Sequence, residues 1–198
     1  MNYLAHAYLS FGNESILIGN MTSDFIKGSQ KFNFPENVQK GITLHRMIDA
    51  FTDGHEVTKK AKDIFKPFTR RYEGVFVDVV YDHFLAVDET EFPLNKLEDF
   101  ANRTYHVLKN NELALPEKFQ RMLPNMINQN WLLNYRFTWG IESSFSGIFR
   151  RAKYLEKDIT IFECFMKHYE AFHNCYKEFF PAVKDFAFNE YNILVQEE

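Results

Sequence analysis

The sequence predicts an all-α protein, a single-domain helical bundle over residues 1–198, and three observations predict it. Apolar residues recur at the 3.6-residue period along most of the chain, with no sustained alternation. Only 8 Gly and 6 Pro punctuate it, too few for many short strands joined by tight turns. Its 198 residues are 45% apolar and include 22 Phe and 10 Tyr, enough to fill one core without a disulfide or metal staple. No internal repeat or Ser/Gly linker divides the chain.

Periodicity and breakers together place helices at 2–10, 15–27, 36–53, 55–66, 70–86, 94–112, 116–132, 135–151 and 156–194. The first ends at Gly12-Asn13, and the cluster from Gly28 to Pro35 separates the second from the third. Gly54 closes the third. Pro67, Pro93 and Pro116 mark the next boundaries, because a proline ring removes a backbone N–H and clashes with the preceding turn. By the same argument Pro124 and Pro181 should kink or split the later helices.

Composition narrows the function. Twenty-three basic and 27 acidic residues give a net charge of -4, which excludes a globally basic nucleic-acid-binding protein. No apolar run reaches the length of a membrane span, and residues 1–13 lack the basic start of a signal peptide, so a cytoplasmic protein is expected. Cys164 and Cys175, placed on one helix, would lie roughly 16 Å apart by helical rise and so remain free thiols. The oligomeric state is not legible in the chain.

Two blocks concentrate chemistry. In residues 41–55, Leu44, Met47, Ile48 and Phe51 form an apolar stripe, while His45, Asp49 and Asp53 recur at i, i+4 and i+8 beside it. In residues 75–86, nine of twelve positions are apolar around the whole helix, yet Asp78, Asp82 and His83 interrupt them. Two buried carboxylates at i,i+4 demand positive charge. Either a divalent metal supplies it, for which imidazole plus carboxylate suits Mn2+, Fe2+, Zn2+ or Mg2+, or an arginine does, with Arg46, Arg70 and Arg71 as candidates. His6 and Asp24 also stand in apolar surroundings. From Lys59 to Arg71, six basic residues (Lys59, Lys60, Lys62, Lys66, Arg70 and Arg71) face one acid, a local +5 that marks a solvated helix face or a docking site for an acidic macromolecule.

These residues fall into ordered motifs. Asn2-Tyr3-Leu4-Ala5-His6 is followed by Gly19-Asn20 with Ser23-Asp24-Phe25 and Gly28. Next come Gly41-Ile42, Leu44-His45-Arg46, Ile48-Asp49 and Thr52-Asp53, then Asp78 and Tyr81-Asp82-His83-Phe84-Leu85. Together they resemble the acyl carrier protein phosphodiesterase family over the first 86 residues, and the stretch at 131–136 continues the likeness. The resemblance implies an all-helical fold related to the HD-domain metal phosphohydrolases, although Asp82-His83 reverses the order of that superfamily's dipeptide. It also implies hydrolysis of the phosphodiester between 4'-phosphopantetheine and a serine of acyl carrier protein, with a divalent cation, usually manganese. By position it implies His6, Asp24, His45 and Asp82 as metal ligands. Asp49 or His83 would then orient or deprotonate the water, and Arg46 would stabilise charge on the phosphoryl oxygens. The basic run acquires acyl carrier protein as its acidic partner. Two other readings fit the same residues: a phosphohydrolase acting on a nucleotide or other small phosphodiester, and a non-catalytic carrier-protein-binding module whose carboxylates pair with arginines.

Overall fold

The computed structural model describes residues 1–69, 71–152, 155 and 160–196; Arg70, one cation of the basic run, lies outside them. The described residues form helices and connecting turns with no strand, so the fold is all-α. None of these helices is long and apolar enough to cross a membrane. In chain order they are α1 (Tyr3–Tyr8), α2 (Glu14–Thr22), α3 (Glu36–Gly54), α4 (Glu56–Thr69), α5 (Glu73–Val87), α6 (Lys96–Asn110), α7 (Glu117–Asn128), α8 (Trp131–Asn134), α9 (Thr138–Arg151), α10 (Thr160–Lys167) and α11 (Tyr169–Gln196). Two 3-10 turns, Ser23–Phe25 and Gly28–Asn33, join α2 to α3.

Pro93 and Pro116 precede α6 and α7 as expected, but three other expected proline breakers do not divide their helices. Pro67, Pro124 and Pro181 lie inside α4, α7 and α11, and none of the three ends its helix. The carbonyl each one orphans, four residues back, belongs to Asp63, Gln120 or Lys177, which are exposed or half-exposed, so water can satisfy it. Two breaks fall where the backbone turns left-handed instead. Arg71 has φ 77 just before α5, and Asn130 has φ 45 between α7 and α8, splitting the expected 116–132 segment. The expected 156–194 helix is likewise divided, at His168, with Cys164 on α10 and Cys175 on α11, both free.

Aromatic side chains fill the core. Phe65 of α4 stacks on Phe172 of α11 at 4.7 Å, and Phe76 of α5 meets Phe145 of α9 edge-on at 4.9 Å. Tyr81 of α5 stacks on Phe179 at 4.9 Å. The C-terminal half of the chain thus joins α1 and α4 in burying α5, whose residues from Val79 to Ala86 are all buried.

The tightest packing is between α2 and α3, where two glycines oppose one another. A Cβ on Gly19 would lie 2.2 Å from the Val38 carbonyl oxygen, and one on Gly41 would lie 2.4 Å from the Ile16 carbonyl oxygen. Both obstacles are backbone, so neither can step aside without moving a helix. Gly41→Ala is therefore expected to destabilise the protein by on the order of 1–3 kcal/mol, measured as the shift of the urea midpoint. An unshifted midpoint would show that the crossing can open at no cost.

Candidate functional site

The close crossing of α2 and α3 brings Asn20 onto His45, and α1 adds His6. All three are buried. Asn20 is wholly enclosed and its groups are all assigned: its side-chain Nδ2 donates to the His6 carbonyl at 2.8 Å and to Ser10 Oγ at 3.2 Å. Its Oδ1 can therefore only accept, and it lies 2.8 Å from His6 Nδ1. Its backbone carbonyl lies 2.7 Å from His45 Nδ1. Both imidazoles must then carry a proton on Nδ1, which directs both Nε2 atoms to the same side. The two rings stack with centroids 3.9 Å apart.

Carboxylates meet those Nε2 atoms. Asp49, one turn beyond His45 on α3, places Oδ1 3.2 Å from His6 Nε2 and Oδ2 3.1 Å from His45 Nε2. Asp24, from the 3-10 turn after α2, reaches His45 Nε2 at 3.2 Å. His6 Nε2 is buried and, despite its nearness to Asp49, lacks hydrogen-bond geometry to any partner. Burial, with the adjacent His45 charge, pushes the His6 pKa down to about 4, so His6 is neutral with a free Nε2 lone pair. Burial also opposes charge on His45, but its hydrogen bonds to Asp24 and Asp49 outweigh that and raise it to about 9. Burial works against the Asp49 carboxylate too, yet the His45 hydrogen bond and the nearby Met1 ammonium hold it well below the usual carboxylate range. The His45 bond likewise lowers Asp24, against a smaller effect of burial. His6, His45 and Asp49 together offer three ligand atoms within 4.8 Å of one another, a possible metal-binding group.

The other sequence-selected residues are placed elsewhere, and the expected ligand set changes accordingly. Asp82 is fully buried on α5, and its oxygens accept the backbone N–H groups of Asn2 at 3.3 Å, Leu4 at 2.7 Å and Ala5 at 3.1 Å. It caps α1, whose own N-cap residue makes no side-chain bond. Burial still pushes its carboxyl up to about 7 against those bonds. Asp78 meets the buried Met1 ammonium at 3.0 Å, and the same ammonium lies 3.5 Å from Asp49. The charge on α5 is thus balanced by backbone amides and an ammonium, where a metal or an arginine was expected. His83 follows Asp82 directly and so points about 100° away around the helix. Its Nδ1 is 2.7 Å from the Tyr135 carbonyl and its Nε2 2.8 Å from the Tyr169 hydroxyl, leaving no nitrogen for the cluster. Arg46 donates from Nη2 to the Ile26 carbonyl at 3.1 Å, tying α3 to the segment that carries Asp24.

The basic run is less positive than its sequence count. Lys59 pairs with Glu56 at 2.7 Å, Lys62 with Asp53 at 2.6 Å and Lys66 with Asp63 at 3.5 Å. Glu56 and Asp53 lie outside the counted window. Lys60 and Arg71 are exposed cations without an ion pair among the described residues. Asn20 and the ligand role open to Asp49 went unselected in the sequence. The available signal was a lone amide in a helix buried from Ile16 to Thr22, which must find partners.

A family model described as acyl carrier protein phosphodiesterase matches residues 1–183. The chain is 30% identical over 191 residues to the acyl carrier protein phosphodiesterase of Photorhabdus laumondii, covering 96% of each chain. The protein of that name from Escherichia coli strain CFT073 is also 30% identical over 191 residues, with 94% of this chain and 97% of that one covered. The Klebsiella pneumoniae relative is 29% identical over 194 residues, covering 96% and 99%. No solved structure matches.

Two outcomes follow from the geometry. Asp82→Ala orphans three backbone donors and should cost on the order of 3 kcal/mol, seen in the urea midpoint, whereas His6→Ala should be milder. In the metal-free protein His45 stabilises the fold through its raised pKa. That contribution is fully present below pH 6.5 and is lost as pH climbs through about 9. His45→Gln should flatten the fall in midpoint across that window; a fall as steep in the variant would assign it to another group.

Proposed function

This chain belongs to the acyl carrier protein phosphodiesterase family, and on that premise we propose that it hydrolyses the phosphodiester joining 4'-phosphopantetheine to a serine of acyl carrier protein, with a divalent cation held by His6, His45 and Asp49. The observation that carries the reading is the pair of imidazoles whose Nδ1–H groups are both fixed by Asn20, leaving two Nε2 atoms converging on one carboxylate. A ligating histidine is generally held this way by a bond at its other nitrogen. The set of two imidazoles and a carboxylate suits Mn2+, with Mg2+, Fe2+ or Zn2+ as substitutes. When bound, the cation neutralises the phosphodiester and acidifies a water.

The side chains divide the remaining work. Asp24, the most exposed member of the cluster, accepts a hydrogen bond from the attacking water and orients it. Arg46 keeps one nitrogen on Ile26, and its other N–H groups stabilise charge on the non-bridging oxygens as the serine oxygen leaves. Asp82 and His83 hold the scaffold. One domain suffices, since α11 packs on α3, α4 and α5. Lys60 and Arg71 attract the acidic carrier protein. The non-catalytic reading needs arginines on the carboxylates, and among the described residues no ion pair joins an arginine to Asp24, Asp49, Asp78 or Asp82.

Mass analysis of holo acyl carrier protein incubated with the chain and Mn2+ should show loss of the prosthetic group; an unchanged mass defeats the reaction. Metal affinity should rise about tenfold per pH unit between 7 and 9, because His45 must lose one proton while His6 is already neutral. A twofold steeper logarithmic slope would mean that both rings are protonated. Arg46→Lys should lower turnover with metal content unchanged, and full activity would remove Arg46 from the phosphoryl contact.

A further inference from the structure

An open cavity of about 730 Å³ lies against one side of the cluster and shares a residue with it. Asp24 lines the cavity and also contacts His45 Nε2 at 3.2 Å, so the cavity adjoins the cluster through this one carboxylate. Its walls come from the turns that join α2 to α3 and from the start of α7. Phe25, Ile26, Phe34 and Pro116 supply apolar surface, Gln30 and Asn33 supply amides, and Lys27 and Lys118 supply charge. Gln30 Oε1 already accepts the Lys27 backbone N–H at 2.9 Å, which leaves its amide N–H groups as donors. Neither Lys27 nor Lys118 makes an ion pair among the described residues, although Glu117 shares the rim.

The opposite side of the cluster has different chemistry. Asp53 stands two turns beyond His45 on α3, about 12 Å along the helix axis, and binds Lys62 of α4. The α4 lysines therefore begin at the end of the site remote from Asp24. A phosphodiester has two ester branches, and a substrate held at the histidines must send them in different directions. For the substrate proposed above, one branch is a slender arm of amides and methylenes ending in a thiol, and the other is an acidic folded protein. The arm matches an open cavity that mixes apolar walls with amide donors. The protein, too large for that cavity, matches the exposed cationic face.

Resting on that reading of the reaction, we propose that the cavity between the turns at 23–34 and the start of α7 is the subsite for the pantetheine arm, with the carrier protein docked at the α4 end of α3. The substrate then lies along α3 with its phosphorus at the histidine pair, and Lys118 and Asn33 determine affinity for the arm.

The test compares holo acyl carrier protein with the apo form, which has no arm. Asn33→Trp, which fills the cavity from an exposed position, and Lys118→Glu should each raise KM for holo carrier protein at least tenfold. Both should leave the Kd of apo carrier protein and the bound manganese unchanged. Lys60→Glu should weaken both carrier forms together. Wild-type KM in both cavity variants would overturn the assignment, as would an equal loss of apo binding. No prosthetic-group release by the unaltered chain is a separate result, which overturns the reaction and this subsite with it.

Discussion

Asn20 has no exposure to solvent, yet its side chain and backbone together satisfy both imidazoles and the carbonyl of α1. An amide can do this because its oxygen and nitrogen have opposite hydrogen-bonding sense: the nitrogen is committed to two acceptors, which forces the oxygen to accept from His6. Two ring nitrogens are thereby fixed as donors and the other two are released toward Asp49. The geometry of the site depends on this one residue, and Asn20 in turn depends on how closely α2 can approach α3. Gly19 and Gly41 permit that approach, since a methyl on either would strike backbone.

Among the described residues, the remaining polar groups show how buried charge is accommodated without an arginine ion pair. Asp82 replaces a missing local cap on α1 by reaching across from α5, and so fixes the height at which His6 enters the cluster. A carboxylate used for three backbone donors has little left for a metal. Asp78 is balanced by the Met1 ammonium, which also adds positive charge beside Asp49. Charge on α5 is thus a device for anchoring the first six residues, and the histidine–carboxylate cluster is built by α1, the segment around Asp24, and α3.

The aromatic second half has more than a packing role. Phe145, Phe165, Phe172 and Phe179 enclose α4 and α5. Tyr135 and Tyr169 take both nitrogens of His83. Residues at the start of α7 form one wall of the cavity beside Asp24. A segment that reads in sequence as hydrophobic filling therefore also lines the cavity beside the cluster.

The sequence by itself determined the helical class, the apolar character of α5 and the row His45, Asp49, Asp53, because these follow from local periodicity, which a chain displays without its tertiary contacts. It also marked His6 and Asp24 as polar residues set in apolar stretches. It did not reveal the partners of Asp82 and His83, since burial predicts that a charge must be satisfied but not by what; backbone amides leave no trace in a pattern of side chains. It overcounted the basic run because Asp53 and Glu56, which neutralise two of its lysines, lie outside the window. Which nitrogen of each histidine is free, and that Asp49 stands between them, was decided only when α1, α2 and α3 met at the Gly19 and Gly41 crossing. The geometry of the cluster is a relation among three helices, and no one-dimensional spacing encodes it.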